Sequence, residues 1–95
     1  MKTTDVDDGL RDYVRHMPCY IGDRHACLGT IEPHHVITKG AGGRDRYNLV
    51  PLCTAAHGEV HTMGRFSWCR RYGFTFGDLQ TSAVEITKHY TQAVG

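Results

Sequence analysis

Four of the seven histidines in this chain fall within thirty residues, as an adjacent pair, His34-His35, and a pair four apart, His57-Gly-Glu-Val-His61. A neutral imidazole binds divalent metals, and its unperturbed titration near neutrality suits proton transfer. If residues 57–61 are helical, side chains four apart lie one turn above each other and two imidazoles reach one ion. One histidine of the doublet would then complete a site of three protein ligands with open positions, which is how a catalytic rather than a structural metal is held. Gly58 stands where H-E-x-x-H peptidases carry their general base, so that chemistry is excluded. The isolated histidines His16, His25 and His89 read as ordinary surface or core residues.

The elements that must position these side chains are short. Ninety-five residues make one domain, 1–95, with no room for a second core, and an apolar share of 40% is thin enough to want a metal or disulfide staple. Residues 1–6 read as a frayed tail. Asp7 or Asp8 caps a helix to about His16, with Leu10, Tyr13 and Val14 as its apolar stripe and Pro18 beyond its end. A turn-rich stretch follows, and Cys27 to Ile37 reads as a short strand running into the histidine doublet. Residues 38–48 form a glycine-containing loop. Leu49 to Cys53 reads as a second strand, an edge by Pro51. Thr54 is expected to cap a helix from Ala55 to about Met63, ended by Gly64 and bearing His57 and His61. Phe66, Trp68, Cys69 and Tyr72 predict a short apolar helix. A last helix is expected from Asp78 or Thr81 to about Val94, burying Val84, Ile86 or Thr87, and Tyr90. Glu59, between the helix histidines, is expected in solvent.

Charge sharpens the picture. The net value is only +1, yet residues 33–72 carry six basic side chains against Asp45 and Glu59, whereas residues 1–32 carry four basic and six acidic. Positive charge therefore gathers around the histidines, as a phosphate-binding surface requires. No run is long enough for a membrane helix and Met1 to Asp8 is unlike a secretion signal, so a cytoplasmic protein with reduced thiols is expected. The cysteines 19, 27, 53 and 69 then read as metal ligands or buried apolar residues.

The pattern His34-His35 … Asn48 … His57-x-x-x-His61, on strand, loop, strand and helix, resembles the HNH endonucleases of the ββα-metal (His-Me finger) fold. The stretch EPHHV … GAGGRDRYNLVPLCTAAHGEVHTMGR looks like the small HNH proteins of phages and prophages, and the match runs from about residue 19 to residue 73. The resemblance implies an α+β domain with flanking N- and C-terminal helices that hydrolyses DNA phosphodiester bonds with a divalent metal: magnesium, manganese, nickel or zinc. It implies that His35 is the general base and that His34, His57 and His61 hold the metal. Asn48 would bond backbone across the loop and so orient His35. Arg44, Arg46 and Arg65, with Lys39 a weaker candidate, would contact phosphate.

Many relatives hold a separate structural zinc in two cysteine pairs. Here Cys53 has Ala56 in place of its partner and Cys19 and Cys27 are stretched apart, so only Cys19, Cys27 and Cys53 are candidates, with His25 a fourth donor in principle. Packing of Cys53 and Ala56 as small apolar groups is the favoured alternative. No sequence-reading module is evident, so specificity is expected to be low or supplied by a partner such as a phage terminase. Two rivals remain: a metal-stabilised nucleic-acid-binding module without catalysis, which has no use for His35, and a hydrolase of another phosphodiester such as RNA.

Overall fold

The computed structural model describes residues 6–38 and 42–94. Helix α1 (Asp8–Arg15) begins where extended Asp7 accepts a hydrogen bond from the Leu10 amide at 3.0 Å, and it buries Leu10 and Val14, four apart. The chain then turns without helix or strand until β1 (Ile31–His35), tied down by buried Ile21 and by the Tyr20 amide donating to the Pro51 carbonyl at 2.8 Å. The strand expected from Cys27 therefore starts later, just after Gly29, whose φ of +85° breaks extended geometry.

Strand β1 pairs antiparallel with β2 (Leu49–Cys53), in a register that sets His34 opposite Val50 and His35 opposite Leu49. Pro33 faces Pro51, so the ladder has no amide donor at that rung. All of β2 is buried, because α1 and the last helix pack on it as well as the helix that follows it.

Helix α2 (Thr54–Met63) is capped by Cys53 rather than Thr54: the Cys53 sulfur accepts from the Ala56 amide at 3.3 Å. The Thr54 hydroxyl is instead given to the Glu32 carboxylate at 2.8 Å. Gly64, at φ +88°, turns the chain into α3 (Arg65–Arg71), which buries Trp68 and Cys69. Glu59 is not solvated as expected. It accepts from the Trp68 indole at 3.1 Å and the Tyr72 hydroxyl at 2.5 Å, fastening α2 to α3. Helix α4 (Phe76–Val94) starts ahead of the expected Asp78, since Thr75 and Asp78 cap each other's amides reciprocally at 2.9–3.0 Å. Its buried stripe is Leu79, Ala83, Ile86 and Thr87; Val84 is only half-buried, and Tyr90 packs against Tyr13.

Among the described residues the result is a small α+β domain of two antiparallel strands and four helices, with the order β1, loop, β2, α2 at its centre. Its buried apolar residues form one cluster. Among the described residues no helix is long and apolar enough to cross a membrane.

Candidate metal centre

Successive residues of a strand face opposite sides, so the doublet divides its labour. His34 turns toward α2, where its ring lies 5.1 Å from that of His57 and 5.7 Å from that of His61, centroid to centroid. One ring nitrogen from each of the three lies within 4.8 Å of the others. Burial foremost, and then the neighbouring His57, His61 and His35, push the pKa of His34 down to about 3. At neutral pH its lone pair is therefore free of a proton, as a metal ligand must be.

The outer face of His57 is also arranged. Its Nδ1 lies 2.6 Å from Glu32 Oε1. Hydrogen bonds from His57, and then from Thr54, lower the Glu32 pKa, so the carboxylate is ionised and can only accept. Nδ1 must then carry the proton, which leaves the Nε2 lone pair for an ion. Glu32 and His34 are two apart on β1 and so share the face turned to α2.

His35 is engaged by the loop rather than by α2. Its Nε2 lies 2.8 Å from Asp45 Oδ1. Asp45 is fully buried and also accepts from Arg11 Nε at 2.7 Å, Arg11 Nη2 at 3.0 Å and the Asp7 amide at 2.7 Å. Burial alone would raise the Asp45 pKa, but Arg11, the Asp7 amide and His35 outweigh it and hold it at about 2. Four donors fill the roughly four acceptor sites of the carboxylate. Being ionised, it fixes the His35 proton on Nε2 and leaves Nδ1 as the basic atom. Both histidines of the doublet line one cavity of about 270 Å³ with Pro33, Thr38, His57 and His61.

Asn48 stands at the root of the loop. Its Oδ1 accepts from the Ile37 amide at 2.7 Å, and its Nδ2 donates to the carbonyls of Ile37 (2.9 Å) and Arg44 (2.7 Å). This clamp leaves no space for a side chain at Gly43, where a Cβ would fall 1.9 Å from the Ile37 oxygen. Asn48 touches none of the three clustered histidines through these bonds; it ties the backbone just after β1 to that just before β2.

The cationic candidates separate. Arg65 lines a cavity of about 260 Å³ with His34, His35 and His61. Arg44 and Arg46 are exposed on the loop, and Arg46 Nε is 2.9 Å from Asp7 Oδ2, a surface pair worth little. Lys39 lies outside the described residues.

The three candidate cysteines also come together. The sulfurs of Cys19, Cys27 and Cys53 lie within 4.8 Å of one another, and His25 is not one of the group. Cys53 and Ala56 are both buried, as small apolar groups would be, but Cys27 is exposed. The Cys53 amide donates to the Cys19 sulfur at 3.3 Å. Burial would raise the Cys53 pKa, yet the amides of Ala56 and Leu28 and the other two thiols lower it; desolvation of its sulfur, then hydrogen bonding to the same thiols, pushes Cys27 up to about 12 although the residue as a whole is exposed. A cavity of about 690 Å³ against Arg24, His25, Glu59, Arg71 and Tyr72 shares no lining residue with either cluster.

Three contributors, Asp45, Glu32 and Arg11, were not picked out from sequence. Asp45 had a signal, as one of two acids in the basic stretch, and Glu32 had strand periodicity with His34. Arg11 had none, since only folding brings it across 34 residues to Asp45. Compared with known proteins, the chain matches no family model, no curated protein and no solved structure.

Proposed function

We propose that this protein is a divalent-metal-dependent endonuclease of the HNH type, built on a ββα-metal centre and hydrolysing DNA phosphodiester bonds. One observation carries the reading: three histidine nitrogens within 4.8 Å of one another share a cavity with a fourth histidine whose proton is fixed by an ionised aspartate. His34, His57 and His61 fit a metal by their chemistry, with one ligand kept neutral by burial and another backed by a carboxylate. An all-imidazole set suits zinc or nickel better than magnesium or manganese. When bound, the ion supplies Lewis-acid stabilisation of charge developing on the phosphate and the leaving oxygen.

The chain's own residues do the rest. His35 Nδ1 takes the proton of the attacking water, and Asp45 stabilises the imidazolium that results. Asn48 holds the backbone on either side of the loop, and with it the bearing of His35. Arg65 grips phosphate at the cavity wall, with Arg44 and Arg46 offering weaker charge from the loop. The cysteine trio offers three ligands to a second, structural zinc, which would need a fourth donor to close its tetrahedron. Cut-site choice is left to a partner protein, such as a packaging terminase.

The test is relaxation of supercoiled plasmid by metal-stripped protein refilled with manganese, nickel, zinc or magnesium. Nicking should return with a metal, and His35→Ala should lower it by about 10²- to 10⁴-fold, the usual worth of a general base, while metal content stays unchanged. If neither protein cuts with any metal while both retain DNA, the binding module is the better reading.

A further inference from the structure

Helix α3 presents an aromatic to solvent at the rim of the histidine cavity. Phe66 is 59% exposed although its neighbours Trp68 and Cys69 are buried. A single exposed phenylalanine is unremarkable. This one is not single: its ring lies 5.1 Å from that of Phe76, centroid to centroid and inclined by 60°. The Arg65 guanidinium sits over both, 5.2 Å from the Phe66 centroid and 5.0 Å from the Phe76 centroid. Among the described residues Arg65 makes no ion pair, so its position comes from the two ring faces and its charge is not neutralised.

Arg65 is also a wall of the cavity that holds His34, His35 and His61. The aromatic pair therefore begins where the candidate reaction centre ends. Gly64, which lines the same cavity, adds no bulk beside Arg65, and a Cβ added there would meet no described atom within 4 Å. A cation beside an exposed ring face is the pairing that single-strand binders use, one for the phosphate and the other for the base. In duplex DNA the base faces are covered by their neighbours and the ring would have nothing to stack on.

We propose that Arg65, Phe66 and Phe76 form a platform for an unpaired nucleotide beside the histidine centre, so that the preferred substrate is single-stranded or locally unstacked DNA. This rests on the nuclease reading for the meaning of "substrate", but the binding itself does not require catalysis. A nucleotide seated here puts its phosphate on Arg65, at the cavity wall, and its base on Phe66.

The experiment is fluorescence anisotropy with metal-free protein in chelator, using a labelled single-stranded oligonucleotide and the duplex of the same sequence. The native protein should bind the single strand at least about tenfold more tightly, within the range that stacking on one aromatic side chain provides. Phe66→Ala should erase that ratio and Phe66→Tyr should keep it. Phe66 is exposed, so the truncation does not open the core. Equal affinity for the two forms, or a preference that Phe66→Ala leaves in place, overturns the proposal. Plasmid nicking separates the two ideas: cutting without single-strand preference removes only the platform. Preference that depends on Phe66, in a protein that cuts with no metal, removes only the catalytic reading.

Discussion

Among the described residues two clusters each bring three side chains that could hold a metal within 4.8 Å, and they are built in opposite ways. The histidine cluster draws on a strand and a helix, opens into a cavity of about 270 Å³, and is backed by the side chain of Glu32. The cysteine cluster draws on the irregular stretch between α1 and β1 and on the end of β2, and peptide amides donate to its sulfurs. One has room for a reactant and ligands whose basicity a carboxylate sets. The other ties an irregular segment to the core through soft ligands that suit zinc. On the proposed reading, the difference separates a centre that works on something outside the protein from one that holds the protein together.

A crossed pair of variants puts that contrast at risk. His57→Ala should lose metal from the histidine centre and lower nicking by more than about 100-fold, beyond the range that loss of an outer partner produces, with little change in melting temperature. Cys53→Ser should do the reverse. Elemental analysis should show one zinc fewer, and melting should fall by about 10 °C, since about 2 kcal/mol moves a domain of this size that far, while nicking per folded molecule persists. If Cys53→Ser instead abolishes cutting in folded protein, or removes no metal, the division between the clusters fails.

Much of this was legible because the informative residues are local. The spacing of His57 and His61 read correctly as one helical face because α2 needs nothing beyond its own turn to align them. The strand, loop, strand, helix order followed from where the glycines and apolar runs lie. What stayed hidden depends on contacts made at a distance. Glu59 looked solvent-bound because nothing local announces Trp68 and Tyr72 as its donors. The start of α4 was set too late because Thr75 and Asp78 were not recognised as a reciprocal cap. The cysteine trio looked improbable from its irregular spacing, but an irregular segment can fold back on itself, and here it does.

A third test concerns the base rather than the ligands. Asp45 has its pKa held at about 2 in the fold against 3.8 ordinarily, so the stability it confers is fully present above pH 4 and is lost as pH falls toward 2. Asp45→Asn resembles the protonated side chain. Urea titrations of both proteins should show a stability gap that is constant from pH 7 to pH 5 and shrinks by about 2 kcal/mol on the way to pH 2. At neutral pH the same variant no longer stabilises an imidazolium at His35, so its nicking should fall while bound metal does not. A gap that is already closing at pH 6 would mean that another group carries the linkage.

The smallest effect is the most discriminating one. Glu32→Gln keeps an oxygen that can accept from His57 Nδ1 and removes only the negative charge behind the imidazole. Metal affinity at the histidine centre should drop by about tenfold, the lower end of what outer partners contribute, and excess metal should restore full nicking. The cysteine cluster offers no such carboxylate among the described residues, because the donors to its sulfurs include the peptide amides of Cys53, Ala56 and Leu28. With metals bound as proposed, the surroundings of the cysteine ligands would be set by the backbone and last as long as the fold does, whereas those of the histidine ligands would hang on one replaceable carboxylate. If Glu32→Gln changed melting temperature and left metal affinity alone, Glu32 would be a strut between β1 and α2, and the histidine centre would be no more tuned than the cysteine one.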